Sequence, residues 1–423
     1  MAYSSDRITS RRRFLKWLSG SPLLAVPGLA AWGAEGVSAG AKLSDPVIWS
    51  ANQLQQLITS PKEAINVFDF EPVMRQNVPP AHFGYMASGI DDEVTLRANR
   101  EAFLKYYLRP RRLNDVSRVD TSMEIFGAKY DSPIFVSPTG GNKAYHPDGE
   151  IAVARAAKAG NHLEMLATGA TTSIDAAIEA RGAPVWFQLY ATSSPEVGIA
   201  LVKRAEKAGS PVVAVTVDRV GGRNQETLFR LRRQDTRDCK QCHAAASGGG
   251  ASGNRERRPN YAGIDLSGVR SFQSANMTWD YVKRLRDATS MKIVLKGILT
   301  HEDASLAVER GVDGIIVSNH GGRGEDNGRA TIDVLPEIVD AVKGRIPILI
   351  DSGFRRGTDA VKALAMGATG VGVGRPYLWG LGAFGQPGVE RVLELLRIET
   401  RAAMQQCGVR NVKELSPEFV RRV

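Results

Sequence analysis

Past residue 130 the chain alternates between two kinds of segment. Short, almost wholly apolar runs lie at 133–137, 163–168, 185–190, 212–218, 292–297, 314–319, 346–351 and 370–374. Between them come longer stretches with helical spacing, among them 149–160, 194–209, 301–311 and 358–367, each closed by a glycine that cannot easily continue a helix. Strands that are apolar throughout are buried on both faces, which means a parallel sheet covered by helices. Eight such units predict an α/β protein built as a (β/α)8 TIM barrel, with an N-terminal helical extension ahead of it.

In such a barrel the loops at the C-terminal ends of the strands build the active site. At those ends stand Pro138-Thr139-Gly140, Thr168, Gln188 and Tyr190, Thr216 and Asp218, Lys296, Ser318 and His320, Asp351, and Gly374-Arg375. The runs are apolar and their ends are mostly polar. A barrel kept only for its packing has no need of that pattern, so these residues are expected to share one site. The spacing between the fourth and fifth runs is much the longest, and 219–276 is expected to be a long mobile loop.

Composition narrows the class without naming a chemistry. Among 423 residues, 43% are hydrophobic and 24% charged, with 3 Cys, which excludes a disordered chain, a collagen-like repeat and a disulfide scaffold. After residue 35 no apolar run is long enough to cross a bilayer. The net charge of +10 resides in residues 1–42 and 219–258, leaving the remainder neutral. A basic balance confined to a leader and one loop does not imply nucleic-acid binding. In the loop it is either a solvated surface, a funnel for anionic substrates, or a dock for an acidic electron acceptor or a membrane surface.

The leader itself reads as an export signal. Ser10-Arg11-Arg12-Arg13-Phe14-Leu15-Lys16 precedes an apolar stretch from Trp17 to Trp32 and the small residues Ala39-Gly40-Ala41. It resembles the twin-arginine (Tat) pattern. Gly20, Pro22, Pro27 and Gly28 speak against a basic surface helix. Residues 1–41 are therefore expected to be a Tat-type signal peptide, 42–423 the barrel domain, and the compartment the periplasm.

Several ordered motifs carry a family resemblance over residues 65–415: LRANREAF at 96–103, LRPR at 108–111, FQLY at 187–190, LKG at 295–297, SNHGGR at 318–323, DSGFRRG at 351–357 and GRP at 374–376. The chain resembles the FMN-dependent α-hydroxy-acid oxidases and dehydrogenases, a family that includes glycolate oxidase, lactate oxidase and flavin lactate dehydrogenases. The resemblance implies that His320 takes the substrate proton while the α-carbon passes two electrons to the flavin, and that Asp218 supports the imidazolium. Arg323 and Tyr85 match groups that hold the substrate carboxylate, and Tyr190 one near its hydroxyl. A second arginine clamp is expected after the fourth run, where this chain is two residues shorter than the family pattern; Arg223 is the candidate. For the cofactor, Gly353, Arg355, Gly374 and Arg375 match phosphate binders and Asp351 a ribityl contact. Lys296 matches the lysine beside flavin N1. Pro138, Thr139, Gly140, Thr168, Gln188, Thr216 and Ser318 match the surroundings of the ring.

Cys239-Lys240-Gln241-Cys242-His243, inside the long loop, has the spacing of a covalent c-type haem attachment site with His243 as iron ligand. A Cys239–Cys242 disulfide, free thiols and half of a zinc site are the other readings. The expectation is an FMN enzyme that oxidises a short L-2-hydroxy acid, lactate or an analogue, to the 2-oxo acid. Its electrons are expected to go to a periplasmic cytochrome or quinone-linked acceptor, and relatives suggest a homo-oligomer. The alternatives are an oxidase releasing H2O2, a Schiff-base lyase using Lys296, and an electron-transfer module built on the CxxCH segment.

Overall fold

The computed structural model describes residues 57–236 and 258–423. The leader and the segment from Cys239 to His243 lie outside them. All eight predicted runs are strands of one parallel sheet: β1 (Ile134–Val136), β2 (Met165–Ala167), β3 (Trp186–Tyr190), β4 (Val212–Thr216), β5 (Lys292–Ile298), β6 (Gly314–Val317), β7 (Ile348–Ile350) and β8 (Gly370–Val373). Each is hydrogen-bonded to the next from β2 to β8, and β8 pairs with β1. The ring closes where Val136 bridges Glu164 and its N–H donates to the Leu163 carbonyl at 2.9 Å. Most strands stop a residue or two short of the predicted ends, and the N–H groups of Ser137, Thr168 and Asp351 just beyond them still donate to the neighbouring strands.

Three short helices precede the barrel, α1 (Phe70–Asn77), α2 (Pro80–Ala87) and α3 (Val94–Glu101). The crossover helices follow in order: α4 (Gly149–Ala159), α5 (Ile174–Arg181), α6 (Pro195–Lys207), α7 (Glu226–Arg233), α8 (Trp279–Ala288), α9 (His301–Glu309), α10 (Thr331–Val342), α11 (Gly357–Ala365) and α12 (Arg375–Cys407). Helix α7 corrects the expectation of an unbroken loop over 219–276. Leu228 is buried, and Leu231 sits so close to Gly84 of α2 that a Cβ at Gly84 would lie 2.8 Å from it. The arginines of α7 stay on the outer face, so tertiary packing stabilises a helix that charge density alone hid. Among the described residues no helix is long and apolar enough to cross a membrane.

The core has two layers. Between sheet and helices lie the outward residues of the strands, such as Val136, Phe187, Val213, Leu295, Ile315 and Ile350. Inside the barrel lie Phe135, Met165, Trp186, Ala214, Val294, Ile316 and Leu349, joined by Met123, Ile125 and Tyr130. Those last three come from a hairpin, Met123–Ile125 paired with Ala128–Tyr130, which plugs the N-terminal end. Its turn residues Phe126 and Gly127 have φ of 49° and 77°, and the Phe126 ring meets Trp186 at 5.6 Å between centroids. The bottom of the barrel is thus an apolar floor, and each large side chain in it contributes about 1.5–3 kcal/mol by leaving water.

Helix α12 folds back on itself. Phe384 and Gly385 leave helical geometry, Gly385 at φ 64° and ψ −143°, and the two halves touch at Gly380 and Gly388. A Cβ on Gly380 would stand 2.4 Å from the Gly388 carbonyl oxygen, which belongs to backbone and cannot swing away. Gly380→Ala is therefore expected to cost about 1–3 kcal/mol by overpacking. A urea unfolding curve reads this as a lowered midpoint with unchanged slope, and an unchanged midpoint would refute the close contact.

Candidate active site

Side chains on a strand alternate faces, so the parity that fills the floor also selects the residues above it. Ala214 points inward, and Thr216 and Asp218 continue its row; Val294 leads to Lys296, Ile316 to Ser318 and His320, Leu349 to Asp351, and Trp186 to Gln188 and Tyr190. Polar groups from five strands therefore converge in one layer at the C-terminal mouth.

His320 stands at the centre of that layer. Its Nδ1 lies 2.8 Å from Asp218 Oδ1, and its Nε2 lies 3.1 Å from the Tyr190 hydroxyl. The backbone positions the ring unusually, since His320 has φ 60° and Gly321 and Gly322 follow at 70° and 72°. A Cβ on Gly322 would come within 2.7 Å of the Leu96 backbone, which accounts for the paired glycines. Burial pushes the imidazole down to about 3; Asp218 opposes this, while Lys296 and Arg219 reinforce it. His320 is thus neutral near pH 7, with Asp218 accepting from Nδ1–H and Nε2 left as the acceptor. Burial works to raise Asp218, but His320 and Lys296 overcome it and hold the carboxyl below its ordinary value.

Lys296 is 4% exposed and ties the layer together. Its Nζ donates to Ser318 Oγ at 2.8 Å and lies 3.6 Å from Asp351 and 4.0 Å from Asp218. Ser318 in turn donates to Asp351 at 2.6 Å and accepts the His320 N–H at 3.1 Å. Burial favours a neutral amine, yet the two carboxylates outweigh it and raise the Lys296 pKa. A Schiff base needs that amine unprotonated, so this arrangement does not suit the lyase reading.

The mouth opens into a cleft with about 820 Å³ of space between its walls, part of it open to solvent. Tyr190, Lys296, His320 and Asp351 line its inner wall, and Pro138, Thr139 and Gly140 another side. Gly353, Arg355, Gly374 and Arg375 line the far end, where α12 begins. Thr168, Gln188, Thr216, Ser318 and Asp218 stand one layer behind. There Gln188 Nε2 donates to Thr216 Oγ1 at 2.7 Å and Thr168 Oγ1 donates to the Gln188 carbonyl at 2.5 Å. The Gln188 side-chain oxygen is buried without a hydrogen-bond partner, a vacancy that a ligand N–H would fill.

The cleft suits a flat heteroaromatic cofactor with a phosphate tail. The Lys296 ammonium would face the ring, with the Gln188 amide behind the wall, and the N-terminus of α12 with Gly374 would meet the phosphate. Arg375 has most of its donors engaged elsewhere, on the carbonyls of Met86 (3.0 Å), Gly321 (2.9 Å) and Ser88 (3.2 Å). It thereby fastens α2 and the His320 loop to the cleft. Arg355 lies with its guanidinium 4.7 Å over the Trp379 ring.

Arg323 also lines the cleft, 4.9 Å over the Tyr85 ring, and donates to the Ser88 carbonyl at 2.8 Å. Arg223 is not on the wall. It stands behind, donating to the Arg323 carbonyl at 3.2 Å, and burial with the neighbouring Arg219 and Arg323 pushes it down to about 9. The wall position is taken by Arg219, 5.0 Å over the Tyr190 ring. Sequence reasoning passed over Arg219, although its place directly after Asp218, in the shortened loop, was the signal. Among the described residues no cluster of His, Cys, Asp and Glu is arranged to hold a metal, and Cys407 is buried and free.

Comparison with known proteins agrees with this geometry. The family model described as FMN-dependent dehydrogenase matches residues 74–422. Glycolate oxidase 3 of Arabidopsis thaliana is 40% identical over 371 residues, covering 85% of this chain and 96% of its own. L-lactate oxidase of Lysinibacillus sphaericus is 40% identical over 357 residues, covering 82% and 90%. Among solved structures, a soluble mutant of the membrane-associated (S)-mandelate dehydrogenase from Pseudomonas putida superposes with a TM-score of 0.77 at 32% identity, covering 85% and 100%. A neutral histidine on an aspartate, a buried ammonium and a phosphate-ready helix start thus have a common explanation: the chain belongs to the FMN-dependent dehydrogenase family and oxidises short 2-hydroxy acids to 2-oxo acids.

Proposed function

We propose that the chain is an oxidase of short L-2-hydroxy acids, transferring electrons from the bound FMN to O2 and releasing H2O2. The observation that carries the chemistry is the Asp218–His320–Tyr190 chain on the cleft wall. The relatives named above as glycolate and lactate oxidases favour oxygen as the acceptor, which makes a cytochrome or quinone-linked partner the second reading. The dehydrogenase reading keeps one observation of its own, Cys239-Lys240-Gln241-Cys242-His243, on residues outside the described ones. The export leader, a periplasmic location and contact of the basic loop with a membrane go with that reading, while a homo-oligomeric state is proposed for either.

FMN supplies the two-electron acceptor when bound. The rest falls to the chain. Arg323, with Tyr85 beside it, would hold the substrate carboxylate, the planar guanidinium matching the two oxygens. Tyr190 and His320 would meet the hydroxyl, placing its proton at Nε2. Asp218 keeps Nδ1 protonated and stabilises the imidazolium once Nε2 has taken the proton. Lys296 would offset negative charge growing on the ring.

Replacing His320 with Gln should slow anaerobic bleaching of the flavin by L-lactate by roughly 10²–10⁴-fold while the flavin stays bound; bleaching at the wild-type rate would remove His320 from the proton step. Aerobic turnover should yield one H2O2 per 2-oxo acid, whereas turnover only with an artificial one-electron acceptor would restore the dehydrogenase. A protonated imidazole cannot accept a proton, so activity is lost as pH falls through the folded-state pKa. Since burial lowers that value, the acid limb of kcat/KM should have its midpoint below the ordinary histidine value of about 6.5. A midpoint above it would contradict the burial argument.

A further inference from the structure

We propose that the substrate carries a second carboxylate held by Arg219, so that a four-carbon 2-hydroxy dicarboxylate is preferred over a monocarboxylate of the same length. The proposal rests on the reading of the cleft as a 2-hydroxy-acid site and specifies which acid that site selects.

The first support is charge. Lys296, Arg219, Arg223 and Arg323 gather at the mouth, while Asp218 and Asp351 are the carboxylates paired into it, both through Lys296. Glu325, the remaining acid nearby, is half-buried; burial and Asp218 raise its pKa, and it forms no ion pair among the described residues. None of the three arginines is ion-paired to a carboxylate among the described residues. Their other bonds are to neutral groups, the Ser88 carbonyl for Arg323 and the Arg323 carbonyl for Arg223. One substrate carboxylate on Arg323 leaves Arg219 without an ion-pair partner among the described residues, and a second carboxylate supplies one.

The second support is placement. Arg219 lines both the main cleft and a smaller cavity beside it, formed with Tyr190, Phe272, Gln273, Ser274 and Met277. Its guanidinium is aimed rather than adrift. The Tyr190 ring lies beneath it, and Gln273, with its amide turned so that both ends are satisfied, accepts from Nη2 at 2.8 Å and donates to the Gly221 carbonyl at 2.9 Å. The Arg219 Nε is buried and has no acceptor among the described residues. A cation held on the wall beyond Tyr190 by neutral partners is placed for a group on the far side of the substrate hydroxyl.

The test is anaerobic flavin reduction in the purified holoprotein, comparing L-malate with L-2-hydroxybutanoate. Second-order reduction should favour malate by about tenfold to a hundredfold, the range of one charge-assisted contact. In Arg219→Met the ratio should fall toward one, whereas in Arg323→Met both acids should slow together. Gln273→Leu, which frees Arg219 without removing it, should narrow the ratio partway, and retained flavin absorbance shows that each variant is folded. Equal reduction by both acids in the wild type, or a ratio that survives Arg219→Met, overturns the proposal. Failure of both acids and of L-lactate to bleach the flavin would instead overturn the 2-hydroxy-acid reading, and the proposal with it.

Discussion

A single ammonium group holds the mouth of this barrel together. Taking a lysine out of water costs several kcal/mol even after relaxation, and so does burying each carboxylate. Lys296, Asp218 and Asp351, their side chains all under a tenth exposed, are tolerable only together, with the Ser318 hydroxyl accepting from Lys296 and donating to Asp351. The four residues come from the ends of β4, β5, β6 and β7 in turn. Their charges balance only if those strands lie side by side in that order and with that stagger. Removing Lys296 would leave two buried carboxylates facing one another with no cation between them, so the group that serves the chemistry also secures the register.

Much of this was legible beforehand, for a definite reason. Strands buried on both faces cannot hide in a sequence, and a polar residue at the end of an apolar run is conspicuous; that is how Lys296, His320 and Asp351 were placed at one rim. What escaped were features decided by tertiary contact. Helix α7 carries Arg230, Arg232 and Arg233, and only the packing of Leu228 and Leu231 against α2 makes it a helix. The hairpin at 123–130 offers three-residue strands too short to signal themselves, yet it closes the floor. The exchange between Arg219 and Arg223 depended on how a shortened loop leaves β4, a matter of backbone path that residue types do not encode.

The same parity that made the site legible also divides labour along the barrel axis. Inward positions below the rim carry Trp186, Val294, Ile316 and Leu349, which pack against the hairpin and exclude water. Two residues further along each of these four strands the inward positions turn polar. Outside the Lys296 cluster, substitutions in the rim loops therefore meet a scaffold whose stability is anchored elsewhere, and loop changes such as the one after β4 can alter the wall without disturbing the floor.

That freedom has an electrostatic limit at the mouth. Guanidinium groups crowded into a half-buried wall repel one another, and the depressed value of Arg223 registers that repulsion together with its burial. The free site is thus less stable than its packing alone would make it, and an anion entering the cleft relieves the strain as it binds. The relief is larger for the arginines, which form no ion pair with a carboxylate among the described residues, than for Lys296, which lies between two. Binding energy is consequently concentrated on the substrate's acidic groups, while Asp218 and His320 are already joined by their own hydrogen bond.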